Sequence, residues 1–249
     1  MPERHGCMSK KKFALCLSGK PGTMEFCYPS IKRHLLDKYN LDIFICSDEQ
    51  EERMMQLYHP VKMEIYSQDE IDVKILEHLG FVNYKECQTQ PAKDLSANWK
   101  VWRCGRMLQE YEKEHGRYDA VLLTRFDVKF LKIPEIKPEP NTVHIPRIDA
   151  LLTPPDSEGR HFGGYSSQLC WFTSDLAPKI MSFFPRSTSL YRQLGYWHAE
   201  IMFKRLCDNF GIVHKLEDIH MMIVRGTNEE PLSTDLLPLS EHPEFIGDK

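Results

Sequence analysis

The stretch Tyr118-Asp119-Ala120-Val121-Leu122-Leu123-Thr124-Arg125-Phe126-Asp127-Val128-Lys129-Phe130 decides the fold. Its centre, Ala120 to Thr124, is an apolar and β-prone run without alternation. That is the pattern of a strand covered on both faces, as in a parallel α/β sheet. Ligands of such sheets bind just outside the carboxyl ends of the strands. Arg125 and Asp127 stand at that end, two residues apart, a pair suited to a phosphate and a divalent cation together. An exposed Arg–Asp pair on a strand-to-loop turn accounts for them equally well, since surface ion pairs are common and weak.

Immediately upstream, Asp94 to His115 reads as a helix that Asp94 caps and Gly116 ends. Val101, Cys104, Leu108 and Tyr111 recur at helical spacing and define its core face. Trp99 and Trp102 widen that stripe, and Lys100, Arg103 and Arg106 form a basic flank. Further back, Phe13 to Leu17 is a strand followed by the turn-forming loop Ser18 to Thr23. A helix is expected from Met24 to Lys38, then a strand from Leu41 to Cys46 that ends at Ser47-Asp48. Glu49 to Tyr58 is helical in composition, Val61 to Tyr66 alternates as an exposed strand does, and Asp69 to Leu79 is helical again. This order of strands and helices is that of an open α/β nucleotide-binding sheet.

Downstream the character changes. Ile133 to Pro155 holds six of the sixteen prolines, so it should run over the surface with short extended pieces such as Thr142 to Ile145. Asp156 to Gly164 is polar and glycine-rich, a candidate mobile loop. Gln168 to Thr173 reads as a strand, Asp175 to Phe184 as a short helical piece, and Tyr196 to Phe210 as a helix. Ile212 to Leu216 and Ile219 to Val224 read as closing strands, and the acidic, proline-containing tail after Gly226 as poorly packed.

Composition narrows the function classes. The chain has 249 residues, 41% of them hydrophobic and 27% charged, which is ordinary for a soluble globular protein. A formal net charge of -4 supplies no basic field, which disfavours a nucleic-acid partner. No apolar run approaches a membrane span, and Met1 to Cys7 lack the apolar core of a secretory signal. The eight cysteines form no Cys-x-x-Cys pair, so a zinc site is not expected and a reducing, cytoplasmic compartment fits best.

The loop Ser18 to Thr23 places a glycine turn between strand and helix, which can cradle an anion. It lacks the spacing of a phosphate-binding P-loop, and Pro21 removes one donor, so a plain strand-to-helix turn is the competing explanation. His198-Ala199-Glu200 opens a helix, where a carboxylate is either a general base or simply well placed at the positive helix end. His161-Phe162-Gly163-Gly164-Tyr165 either lines a ligand site or makes an ordinary turn.

Taken together, these segments resemble a family of GT-A-type glycosyltransferases found in bacterial polysaccharide loci and in large algal viruses. The resemblance runs through Leu17-Ser18-Gly19, Tyr28-Pro29-Ser30, Asp42-Ile43-Phe44, Tyr111-Glu112, Tyr118-Asp119 and Arg125-Phe126-Asp127-Val128. It continues through Gly163-Gly164, Trp171-Phe172 and His198-Ala199-Glu200, and so spans roughly Phe13 to Arg225. It implies one α/β domain over residues 13–225, with a mostly parallel nucleotide-sugar half (13–132) and a mixed acceptor half (133–225). Residues 1–12 and 226–249 are then an extension and a tail. The implied reaction moves a sugar from a UDP- or GDP-linked donor to a saccharide or glycan acceptor, with Mn²⁺ or Mg²⁺ bridging the donor's phosphates. The implied setting is the cytoplasm of a bacterium, or of a host cell if the protein is viral.

By the same resemblance Asp127 is the metal ligand, the last acid of an Asp-x-Asp-type motif whose first acid is replaced by Arg125. Arg125 then contacts phosphate or holds Asp127. Ser18, Gly19 and Lys20 lie beside the nucleotide, and Lys100 or Arg103 reaches its diphosphate. Gly163, Gly164, Trp171 and His198 contact substrate, and Glu200 is the base. One departure stands out: relatives often carry an Asp before the Gln of the second-half strand, where this chain has Ser166-Ser167-Gln168. Any task of that Asp falls here to another acid, Glu200 or Asp156. A metal-free sulfotransferase using Ser18 to Thr23, or a non-catalytic nucleotide- or saccharide-binding protein, are the alternatives.

Overall fold

A computed structural model describes residues 11–49, 52–79, 90–147, 169–195, 197–225 and 232–233. In chain order the elements are β1 (Phe13–Ser18), α1 (Met24–Ile31), a π-helical turn (Lys32–Leu36), β2 (Leu41–Ser47), α2 (Glu52–Tyr58), β3 (Lys62–Ile65), α3 (Gln68–Leu79) and α4 (Gln90–His115). They continue with β4 (Ala120–Arg125), β5 (Val128–Lys132), β6 (Thr142–Pro146), β7 (Leu169–Phe172), a 3₁₀ turn (Ser174–Leu176), α5 (Ala177–Ile180) and α6 (Phe183–Leu194). The last are α7 (Ala199–Asn209), β8 (Val213–Glu217), β9 (His220–Arg225) and β10 (Leu232–Ser233).

The fold is mixed α/β. Seven strands form one sheet in the order β3-β2-β1-β4-β7-β6-β8, and β10-β9-β5 form a small second sheet. Strands β3, β2, β1 and β4 are mutually parallel, β7 runs against both β4 and β6, and β6 pairs in parallel with β8. The four mutually parallel strands thus come from the first half of the chain, and the antiparallel pairings of the large sheet are those of β7. Among the described residues no helix is long and apolar enough to cross a membrane.

Burial explains the unbroken apolar runs. In β1, Ala14 and Cys16 face one core while Phe13, Leu15 and Leu17 face the other. In β4, Val121 and Leu123 join the first core, and Ala120 and Leu122 the second. A strand with a core on each face cannot alternate apolar with polar residues. The amino-terminal ends of these strands are pinned by polar contacts. The Tyr118 hydroxyl donates to Asp42 Oδ2 at 2.7 Å, Lys12 Nζ lies 2.9 Å from the same oxygen, and the Lys12 N–H donates to Asp119 Oδ2 at 2.8 Å. Tyr118-Asp119 and Asp42 thus secure the sheet at the edge opposite its carboxyl ends.

Several boundaries depart from the sequence pattern, each for a local reason. The helix expected over Met24 to Lys38 breaks at Ile31 and continues as a π-helical turn. Pro29, inside α1, cannot donate the regular backbone bond. Its neighbours anchor the helix instead: the Tyr28 hydroxyl donates to the Leu57 carbonyl at 3.1 Å, and Ser30 Oγ accepts from the Phe130 N–H at 3.0 Å. Helix α4 starts at Gln90, so Asp94 is not its cap. Asp94 instead accepts from Trp197 Nε1 at 3.0 Å, tying α4 to the residues that precede α7. Gly116 does end α4, at φ +83, with its N–H bonded to the Glu112 carbonyl at 3.0 Å.

Helix α6 extends ten residues past the expected helical piece, to Leu194. Its Ser- and Thr-containing sequence has low intrinsic helix propensity, and buried Phe183, Phe184, Ser187 and Leu190 hold it. The chain beyond Asp127, unassigned by pattern, is β5, paired with β9.

Two expected results arise from this packing. A Cβ on Gly105 of α4 would lie 2.9 Å from Met181 Cβ, an atom fixed to the backbone. Gly105→Ala should therefore lower the melting temperature, because overpacking costs about 1–3 kcal/mol and outweighs the ~1 kcal/mol that Ala gains over Gly in a helix. A raised melting temperature would show that α4 and the α5 terminus separate freely.

The second concerns pH. His78 Nε2 lies 3.0 Å from Ser187 Oγ, and its ring packs against Phe184 at 4.5 Å between centroids. Burial pushes the pKa values of His34, His78 and His214 below the usual histidine range. With folded pKa values below unfolded ones, the unfolded chain binds protons first, so this contribution is complete above about pH 6.5 and is lost as pH falls through the folded values. Thermal melts at pH 7.5 and 5.5 should show lower stability in acid, and His78→Gln should shrink the difference. An unchanged difference would remove His78 from the account.

Candidate functional site

The carboxyl ends of β1, β2 and β4 lie side by side. Ser18, the last residue of β1, stands in register between Cys46 of β2 and Arg125 of β4. Gly19 follows at φ +118, a conformation that favours glycine. Its N–H donates to the Cys46 carbonyl at 3.2 Å, and its own carbonyl accepts from Ser47 Oγ at 2.9 Å. The space over Gly19 is open: an added Cβ would meet nothing within 4 Å. Lys20 extends beyond it, its side chain 64% exposed, with Nζ 3.7 Å from Asp48 and 3.8 Å from Glu49. The loop is closed by Thr23, whose hydroxyl donates to the Val224 carbonyl of β9 at 3.1 Å.

Arg125 and Asp127 flank the buried ring of Phe126, which packs at 5.8 Å from the Tyr58 ring. Arg125 donates through Nε to Asp127 Oδ1 at 2.8 Å and through Nη2 to Oδ2 at 2.6 Å. Both carboxylate oxygens are thus bound by one guanidinium, a planar two-point pair. The Asp127 carbonyl accepts from the Val224 N–H at 2.8 Å, which fixes the turn to β9.

Of the basic flank of α4, Lys100 and Arg103 face inward, whereas Arg106 is exposed. Helix α4 runs back against the sheet to reach β4, so its first turns lie over the carboxyl edge. Lys100 is 3% exposed and donates to Asp48 Oδ2 at 2.9 Å. Asp48 is also buried, and its Oδ1 has no hydrogen-bond partner among the described residues. Arg103 grips Glu64 of β3 with Nε at 2.8 Å and Nη2 at 2.7 Å, and the Tyr66 hydroxyl donates to the same carboxylate at 3.0 Å. Glu64 raises the Arg103 pKa further above its already high value. Lys100 and Arg103, expected to reach a diphosphate, are each engaged in the structure by an internal carboxylate. The buried partner Asp48 carried no local signal beyond its place at a strand end.

Helix α7 leads into β8, which runs in the same direction as β4, so its amino terminus returns to the carboxyl edge. His198 is its N-cap residue, and His198 Nδ1 lies 3.2 Å from Glu200 Oε2, with the two side chains 35% and 46% exposed. Trp197, held by Asp94, anchors this corner to α4. Ser18, Gly19, Lys20, Arg125, Asp127, His198 and Glu200 thus all belong to one edge of the sheet. Trp171 does not. It is 1% exposed, packed in the core and stacked on the His144 ring at 5.0 Å and 11°, so the expectation that it meets a substrate is corrected. Its cross-strand position between β4 and β6 buries it. Gly163, Gly164, Asp156 and Ser166 to Gln168 lie outside the described residues.

Among the described residues no group of three or more His, Cys, Asp and Glu side chains is placed to hold a metal ion. Among the described residues the donor set for a cation at Asp127 is a single carboxylate, already bound on both oxygens by Arg125. That set does not fit a resident divalent cation. Among the described residues Cys16, Cys27, Cys46, Cys104, Cys170 and Cys207 are buried, and burial pushes the Cys27 thiol up to about 11 and Cys207 to about 12. No family model matches the chain, and no curated protein matches it.

Proposed function

We propose that the protein transfers a sugar from a UDP- or GDP-linked donor to a saccharide or glycan acceptor. The observation that carries this reading is the register of Ser18 beside Arg125, with open space over Gly19 and the exposed Lys20 next to it. This groups backbone that a ligand can approach closely with two cationic side chains, at the edge where parallel α/β sheets bind nucleotides. The parallel half of the sheet, joined to a mixed half, agrees with a GT-A-like arrangement.

In this reading the donor's diphosphate lies along Ser18, Gly19 and Lys20. The acceptor hydroxyl lies toward His198 and Glu200. Glu200 removes the hydroxyl proton as the acceptor oxygen bonds to the anomeric carbon. The bond from that carbon to the diphosphate breaks, and its electron pair leaves with the diphosphate. Cationic side chains fixed beside the leaving group stabilise the charge as it develops. The metal dependence implied by the resemblance enters only as a variable of the test.

Thermal-shift measurements with UDP- and GDP-sugars, with and without Mn²⁺, test the reading. The expected result is stabilisation by one class of nucleotide sugar, followed by release of UDP or GDP when a glycan acceptor is added. Stabilisation only by the sulfonate donor 3′-phosphoadenosine 5′-phosphosulfate would overturn it in favour of sulfo transfer. Stabilisation without turnover across a panel of acceptors would favour a binding protein.

A further inference from the structure

We propose that Asp127 is a positioning residue for Arg125, and that Arg125 together with Lys20 binds the donor's diphosphate without a divalent cation. This rests on the nucleotide-sugar reading above and assigns Asp127 a different task from metal ligation. A guanidinium has five N–H donors in a fixed plane. Asp127 engages two of them, on Nε and Nη2, leaving the outer edge of the fork for a ligand. The Arg125 side chain is 39% exposed and the Asp127 side chain 19%, so the cation is the more open member of the pair. The carboxylate is in turn fixed by its own backbone, through the bond from Val224 to the Asp127 carbonyl.

Electrostatics points the same way. A divalent cation approaching Asp127 meets a guanidinium already within 2.6–2.8 Å of both oxygens, so the attraction of the carboxylate is offset by the repulsion of the arginine. An anion approaching the open edge meets the guanidinium first. Arg125 is next to Ser18 in register, and Gly19 leaves room for phosphate oxygens over the backbone. Lys20 completes the cationic set. At 3.7 and 3.8 Å from Asp48 and Glu49 it lies outside ordinary hydrogen-bond distance, and its exposure leaves it free to turn toward a phosphate.

Calorimetric titration of the full chain with UDP and with GDP, in EDTA and in MnCl₂, distinguishes the outcomes. The expected result is nucleoside diphosphate binding in EDTA, with affinity changed less than threefold by Mn²⁺. Arg125→Lys keeps the charge but loses the fork, and should weaken binding at least tenfold in both buffers. Asp127→Asn should weaken it by a smaller factor that is equal in both buffers. Adding Asp127→Asn to Arg125→Lys should cost little more, because the two residues act as a unit. A purely structural Asp127 would lower the melting temperature and leave affinity intact, which would overturn the positioning role. Binding seen only with Mn²⁺, abolished by Asp127→Asn and indifferent to Arg125→Lys, would overturn the proposal and leave the nucleotide-sugar reading standing. No binding of either nucleotide in either buffer would overturn both.

Discussion

Lys100→Met should destabilise the protein by about 3–5 kcal/mol, the cost of leaving one member of a buried ion pair without its partner. Asp48 has a side chain only 1% exposed, and Lys100 Nζ, 2.9 Å away, is its closest cation. Lys20 is the other cation near it, 3.7 Å away on an exposed side chain, too far and too solvated to replace a buried hydrogen-bonded ammonium. The double variant Lys100→Met/Asp48→Leu should recover most of the loss, since it removes both charges and keeps the volume. Urea unfolding of the three proteins measures the effect directly. A loss below about 1 kcal/mol for Lys100→Met would mean that water reaches Asp48 freely, as it does at a surface pair. Because the pair joins α4 to the end of β2, its loss should also loosen the neighbouring Gly19 turn, which hangs from Cys46 and Ser47.

Glu200→Gln should lower the transfer rate by about 10²–10⁴-fold, the usual contribution of a positioned general base. Donor affinity should not change, because Glu200 is on α7 and the donor's proposed contacts are on the β1 and β4 loops. His198 lies 3.2 Å from the Glu200 carboxylate and takes no proton in the proposed step, so His198→Ala should reduce the rate less than Glu200→Gln does. Initial rates at saturating donor, paired with donor titrations, separate the two effects. Equal losses in rate and in donor affinity would place Glu200 at the donor instead, and an unchanged rate would remove it from the chemistry.

Much of the architecture was legible because its causes are local. Strands β1, β2 and β4 announce themselves as unbroken apolar runs, since each has to satisfy a core on both faces. Gly116 marks the end of α4 because a positive φ at that point favours glycine. The start of the same helix was misplaced by four residues, because Asp94 has the right chemistry for a cap and is used elsewhere. Helix α6 was only partly visible. Its stability comes from what Phe183, Phe184 and Leu190 touch rather than from the propensity of its residues.

The candidate site divides along the same line. The order of elements is enough to bring Ser18, Gly19, Lys20, Arg125 and Asp127 to one edge, because parallel strands joined by helices all end on the same side. Sequence alone therefore determined the fold class and the edge that carries the polar residues. Only the tertiary structure decided which of those residues are committed to one another. Lys100 meets Asp48 across 52 positions, Arg103 meets Glu64 across 39, and Trp197 meets Asp94 across 103. Periodicity tells which face of a helix is covered, but not which carboxylate covers it. Arg125 and Asp127 are two residues apart, yet their pairing too was settled by the turn between β4 and β5, which holds the guanidinium against both oxygens of the acid.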